Sequence, residues 1–325
     1  MTQNAKTFLV IRRDNIGDLV CTTPLLRALR EHFPDARICT LVNSYNAPVL
    51  ANNSDVNEIY AYTKAKHRQK GKSLAQLYWE RLKLFWSLRR RHFDYVLLAG
   101  QSQGTRLMRL AKFIAPHQIL IQPETANGHE VERVFRMLTP LGINTPPPLL
   151  RVVPDVARAT ALRQHLFPQG APTPLIGLHI SARKPSQRWP TEHFVELAQN
   201  IHRLYGASFL LFWSPGNEAN PHHPGDDEKA QQIMHALASL PIQACPTQQL
   251  EELIAGLSLC DSVICSDGGA MHLAAGLGKP ILCFFGKSDR ARWHPWAVPY
   301  QLLQPPSLEV TDISVAEALE GFKKL

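Results

Sequence analysis

The chain has 325 residues, 45% of them hydrophobic and 19% charged, with a formal net charge of +8. That length holds two ordinary domains, each with its own core, and no stretch approaches the about 18 uncharged apolar residues of a transmembrane helix. The first residues lack the apolar stretch of a signal peptide, so cytoplasmic residence is expected.

Strands and helices alternate from there. The pattern predicts a strand over 7–12, then a helix over 19–33 that Pro24 must kink or begin afresh. A strand at 36–42, a short helix at 47–52 and a strand at 58–62 follow. Residues 64–92 carry ten of the 35 Lys and Arg residues and one of the 27 acids, Glu80, so the rest of the chain is close to neutral. Within that stretch a helix is expected over 74–91. Leu74, Leu77, Tyr78, Leu82, Phe85 and Leu88 stand at helical spacing, with Trp79 and Trp86 seven apart. A basic amphipathic helix can dock on an anionic membrane or substrate; equally, its apolar stripe can be core and its charges solvated. No nucleic-acid motif accompanies the charge.

A strand at 95–99, a helix at 105–114, a brief strand at 119–121 and a helix at 130–141 ending near Gly142 complete the first half. Residues 144–148, with three prolines, read as a linker. The second half repeats the alternation. Helices are expected at 157–166, 191–205 (Thr191 as N-cap), 228–239, 250–259 and 312–324, and strands at 175–180, 208–213, 262–265 and 280–285. This succession predicts an α/β chain with two parallel, doubly wound sheets. The domains would be 1–148 and 149–325, with the last helix a candidate to return to the first domain. Ligands of such sheets bind at strand C-terminal ends. The six cysteines, at 21, 39, 245, 260, 265 and 283, form no CxxC pair and read as buried thiols.

Three loops carry chemistry. After the first strand comes Arg13-Asp14-Asn15-Ile16-Gly17-Asp18, without a GxGxxG fingerprint. Asp18 can cap a helix or act as a general base. After the 175–180 strand, Ser181 precedes three cations, Arg183, Lys184 and Arg188, suited to a diphosphate. After the 262–265 strand comes Asp267-Gly268-Gly269-Ala270-Met271-His272. Its glycines allow close backbone approach, and the following helix start points N–H groups at an anion. A bare βα turn would use the same glycines. His222 and His223, beside Asp226 and Asp227, read as a solvated loop rather than a metal site.

Together these motifs resemble those of the lipopolysaccharide heptosyltransferases, glycosyltransferase family 9. Val10 to Val20 with Thr23-Pro24-Leu25-Leu26-Arg27-Ala28-Leu29-Arg30 is similar to the family's N-terminal signature. Gln187-Arg188-Trp189-Pro190, with Phe194 and Leu197, is similar to its central signature. Asp267 to Ala275, with Pro280, Phe285-Gly286 and Asp289, is similar to its C-terminal one. The resemblance implies a GT-B fold of two Rossmann-like domains, with the acceptor on the first and the nucleotide sugar on the second. It implies inverting, metal-independent transfer of L-glycero-D-manno-heptose from ADP-heptose to the lipopolysaccharide inner core, at the inner face of the inner membrane. No cofactor is implied. The family's base falls on Asp18, beside Gly17. Its phosphate turn falls on Asp267, Gly268 and Gly269, with His272. Its nucleotide loop runs from Ser181 to Trp189, and its ribose acid is Glu218 or Glu228. Two positions depart from the family. Gln187 stands where lysine is usual, and Gly268 where some members have threonine. Another nucleotide sugar, or a non-catalytic nucleotide-sugar module, would share much of this pattern.

Overall fold

The computed structural model describes residues 5–63, 73–100, 105–123, 127–217 and 225–325. The chain divides into two compact units, Met1–Val153 and Pro154–Leu325, so the division falls a few residues past the 144–148 proline stretch.

The first unit holds β1 (Thr7–Ile11), α1 (Ile16–Val20), α2 (Thr23–His32), β2 (Arg37–Asn43), β3 (Glu58–Tyr62), α3 (Leu74–Arg89), β4 (Tyr95–Leu98), α4 (Thr105–Ile114), β5 (Gln118–Ile121) and α5 (Glu130–Phe135). The single helix expected over 19–33 is two. Pro24 has no N–H to offer a continuous helix, so it sits in the first turn of α2, where none is needed. The helix expected over 130–141 is α5 followed by a 3-10 turn that runs to Leu141 and contains Pro140.

The sheet is parallel, in the order β3-β2-β1-β4-β5. β1 is the hub, and its Leu9 registers with Cys39 on one side and Val96 on the other. Its apolar run is buried on both faces, as a strand flanked by crossover helices must be. Leu9, Ile11, Leu41, Val96 and Leu98 form the core with Leu88 of α3 and Leu107, Leu110 and Ile114 of α4.

The second unit holds α6 (Val156–Leu166), β6 (Leu175–His179), α7 (Thr191–Tyr205), β7 (Ser208–Trp213), α8 (Asp227–Ala236), β8 (Ile242–Pro246), α9 (Leu250–Leu259), β9 (Ser262–Ser266), α10 (Gly269–Gly276), β10 (Ile281–Phe284), α11 (Arg290–Trp293), β11 (Tyr300–Leu303) and α12 (Val315–Phe322). β8 and β11 are strands the sequence pattern did not announce. They are the two edges of a six-stranded parallel sheet, β11-β10-β9-β6-β7-β8. Read from its first strand, this sheet has the same winding as the other. α7 begins at Thr191, but its N-cap is Pro190, with no side-chain cap, so Thr191 is the first helical residue and not the cap expected of it. α12 packs on α7, β10 and β11 of its own unit. The core joins Ile176, Leu178, Phe209, Leu211, Ile264 and Phe284 to Trp189, Phe194 and Ile201.

In both sheets the first strand lies between the second and the fourth. Crossovers leave in opposite directions there, opening a crevice beyond the strand ends where ligands bind. In the first unit that point is the end of β1 and β4; in the second it is the end of β6 and β9.

Candidate active site

At the first crevice, β1 runs into Arg12, which is 1% exposed and surrounded by carboxylates. Its Nη2 donates to Asp18 Oδ1 at 2.6 Å and to Glu130 Oε1 at 2.8 Å, and its Nε lies 3.3 Å from Asp14 Oδ2. Glu130 is fully buried and opens α5, where the helix start favours negative charge. Arg133 Nε stands 3.7 Å from its other oxygen.

Asp18 is not the cap of α1. Asn15 is the cap, and Asp18, three residues on, reaches back to accept from the Asn15 backbone N–H and from Asn15 Nδ2, both at 3.0 Å. Burial pushes the Asp18 carboxyl up, but the charge of Arg12 and these hydrogen bonds outweigh it and hold the group below its usual range. Burial likewise works against the Arg12 charge, and Asp18, Glu130 and Asp14 overcome it.

The loop is tethered from β2. Asn43 Nδ2 donates to the carbonyls of Arg13 at 3.2 Å and Asp14 at 3.0 Å. Gly100, after β4, has φ +150, and a Cβ there would lie 2.6 Å from Asp14 Oδ2. Only glycine leaves that carboxylate its place. Gly17 lies buried within α1, its carbonyl accepting from Cys21 N–H at 2.9 Å. Arg12, Asn15, Asn43 and Glu130 complete a site in which sequence reasoning marked only Asp18 and Gly17.

At the second crevice, β9 ends at the glycine turn. Asp267 accepts from Gln187 Nε2 at 2.8 Å and from the Ser288 hydroxyl. Gln187 is buried, and its Nε2 also reaches Ser288 Oγ at 3.2 Å. The loops after β6, β9 and β10 therefore converge on one carboxylate. Gly286 makes this possible, since a Cβ there would lie 2.5 Å from the Ser186 carbonyl oxygen. Gly268 is different. Its backbone is extended and a Cβ would meet nothing within 4 Å. It is the N-cap of α10 and supplies no side-chain cap to the first N–H groups of the helix, which an anion can satisfy instead. His272 is buried in the same helix, its ring edge-on to Trp293 at 5.9 Å.

The nucleotide-loop candidates separate. Ser181 Oγ accepts from the Ser214 N–H at 2.9 Å, joining the ends of β6 and β7. Arg183 and Lys184 are exposed. Arg188 donates from Nε to the Ala182 carbonyl at 3.0 Å, folding the loop on itself. Trp189 anchors it. The ring is 1% exposed, donates to the Ile313 carbonyl at 2.9 Å and packs 4.5 Å from Phe284.

Arg188 and Glu228 line one pocket of about 260 Å³, with Trp189, Thr191, Lys229 and Gln232. Glu218, His222 and His223 lie outside the described residues, as do the cations from Lys64 to Lys72. Asp227 holds structure, accepting from Trp213 Nε1 at 2.7 Å and Gly216 N–H at 2.9 Å. All six cysteines are buried and in no disulfide, and burial pushes the Cys245 thiol up to about 12. No helix of the described residues is long and apolar enough to cross a membrane.

The model of glycosyltransferase family 9 (heptosyltransferase) matches residues 98–309. Over 306 residues the chain is 27% identical to lipopolysaccharide heptosyltransferase 2 of Salmonella typhimurium, covering 86% of this chain and 83% of that protein. Two solved structures share the GT-B fold. A family 9 glycosyltransferase from Veillonella parvula superposes with a TM-score of 0.82 at 21% identity, covering 99% of this chain and 98% of that one. An Escherichia coli heptosyltransferase with ADP gives 0.76 at 17% identity, covering 98% and 99%.

Proposed function

The chain belongs to glycosyltransferase family 9, the heptosyltransferases, and from that premise we propose that it moves L-glycero-D-manno-heptose from ADP-heptose to the lipopolysaccharide inner core. One observation carries the donor half. The Asp267-Gly268-Gly269 turn ends a strand at a switch point and opens a helix whose first N–H groups lack a side-chain cap. A diphosphate satisfies those donors and the positive end of the helix. In this reading Arg183, Lys184 and Arg188 add charge along the loop, His272 flanks the turn, Ser181 orders the loop's start, and Glu228 or Glu218 holds the ribose. Arg188 and Glu228 already share a pocket.

The acceptor belongs to the first unit, and Asp18 is its base. The acceptor hydroxyl oxygen bonds to the anomeric carbon as the bond from that carbon to the ADP oxygen breaks. The attack comes from the opposite face, which inverts the centre. The hydroxyl proton passes to the Asp18 carboxylate, and ADP leaves with the electron pair. A carboxylate held below its usual range is ionised at neutral pH and ready to accept. Glu130 and Asp14 keep Arg12 from becoming an unpaired charge when Asp18 takes the proton. The cations and the α10 start offset charge growing on the diphosphate, so transfer proceeds without a divalent metal. The enzyme works in the cytoplasm, at the inner face of the inner membrane that carries the acceptor.

The test is mass spectrometry of heptose-deficient lipopolysaccharide incubated with ADP-heptose and the protein, with and without chelator. A gain of one heptose in both supports the proposal; no gain on any truncated core overturns it. Stabilisation by UDP or GDP in place of ADP would point to another nucleotide sugar. Nucleotide binding with no turnover would point to a binding module.

A further inference from the structure

We propose that α3 is a membrane-docking surface that lays its outer face into the interfacial layer of an anionic bilayer. The helix carries two apolar stripes. One is core: Leu77 is 2% exposed and Leu88 0%, with Leu84 and Phe85 packed against the cluster that holds Leu88. The other faces away from it. Tyr78, Leu82 and Trp86 follow one another four residues apart with Trp79 alongside, and they are 59%, 52%, 47% and 58% exposed. At 3.6 residues per turn these four cover an arc of roughly 100°. Burial in the fold explains the first stripe and leaves the second unexplained. A contiguous apolar patch of this kind marks an interaction surface.

Its chemistry selects the occupant. Tyrosine and tryptophan beside basic residues suit the boundary between headgroups and acyl chains, where ring and polar edge are both satisfied. Lys83 Nζ lies 5.4 Å from the Trp79 ring, and Arg81 lies 5.4 Å from Tyr78. Arg89 sits 5.3 Å from Phe113, whose ring is 5.7 Å from Trp86. Lys83, Arg89 and Arg90 are exposed, and Glu80 is the one acid in the helix. A second copy docked on this face by a two-fold axis would set like charges against each other. An anionic lipid surface meets both the rings and the cations. The docking goes beyond the transfer reaction and does not depend on it, because the bilayer is met with neither donor nor acceptor present.

Flotation of the full chain with vesicles tests this, using phosphatidylcholine alone and phosphatidylcholine mixed with phosphatidylglycerol. The chain should float with the mixed vesicles and not with the neutral ones, and added salt should weaken the binding. Trp79→Ala with Trp86→Ala, and separately Lys83→Glu with Arg90→Glu, should each lower vesicle affinity by about tenfold or more. Both pairs are exposed, so the unfolding midpoint should stay that of the wild type. No flotation of the wild type, or equal flotation of wild type and both variants, overturns the proposal. So does a wild-type dimer in sedimentation that the tryptophan pair dissolves. Failure of the transfer reading shows differently, as vesicle binding intact with no thermal shift from ADP.

Discussion

Gln187 Nε2 stands 2.8 Å from Asp267 Oδ2 and ties the loop after β6 to the glycine turn that opens α10. The amide makes this tie with a neutral donor, at a position where the family that the motif resembles usually has lysine. A charge-assisted hydrogen bond contributes about 1 kcal/mol more than a neutral one. Gln187→Lys should therefore strengthen the tie to Asp267 by about 1 kcal/mol, read in urea unfolding. Gln187→Leu leaves Asp267 only the Ser288 hydroxyl of this pair and should cost about 1–3 kcal/mol in urea unfolding.

Asp18→Asn removes the proposed base and keeps the shape of the loop. Turnover should fall by about 10²–10⁴-fold while the ADP dissociation constant stays unchanged, because ADP is assigned to the other unit. Unchanged turnover would exclude Asp18 as the base.

The same carboxylate sets a pH dependence. Its folded value lies below the usual 3.8. The stability it contributes is complete above its unfolded value and is lost as pH falls through the lower folded one. Acid unfolding of the wild type should steepen below about pH 4, and Asp18→Asn should flatten the curve in that window. The acid limb of kcat/KM should likewise lie below the usual carboxylate range.

Arg12→Met takes the cation from Asp18 and leaves Glu130 only the more distant Arg133. Removing one partner of a buried ion cluster costs about 3–5 kcal/mol, so the unfolding midpoint should drop sharply. Adding Glu130→Leu removes the most deeply buried carboxylate of the cluster and should recover part of that loss. A double variant as unstable as the sum of the two single ones would exclude the coupling.

Gly268 and Gly286 should respond in opposite ways. A threonine at 268 enters open space on an extended backbone. Gly268→Thr should stay within about 0.5 kcal/mol of the wild type and add a hydroxyl donor at the anion site. An alanine at 286 would press on the Ser186 carbonyl at 2.5 Å. Gly286→Ala should displace the loop that carries Gln187, lowering both the unfolding midpoint and ADP affinity.

Local signals in the chain fixed most of the architecture. Apolar runs mark β1, β6, β9 and β10, because a strand buried on both faces must be apolar throughout. The 191–205 and 250–259 helices follow from 3.6-residue spacing and have the bounds expected. β8 and β11 escaped because they are short edge strands, half wet and polar in places, such as Gln243 and Gln301. Asp18 and Asp267 could be singled out in the sequence because each stands in a short motif just after a strand.

What those carboxylates touch was decided by tertiary structure. Glu130 meets Arg12 across 118 residues, and Ser288 meets Gln187 across 101. Residue spacing carries no information about such pairs; strand order does, by bringing certain strand ends together. The two stripes of α3 make the same point. Leu77 and Tyr78 belong to patterns of equal helical regularity, so periodicity alone could find a helix but not its inner face. Only packing against the sheet and α4 settled which stripe is core and which meets the solvent.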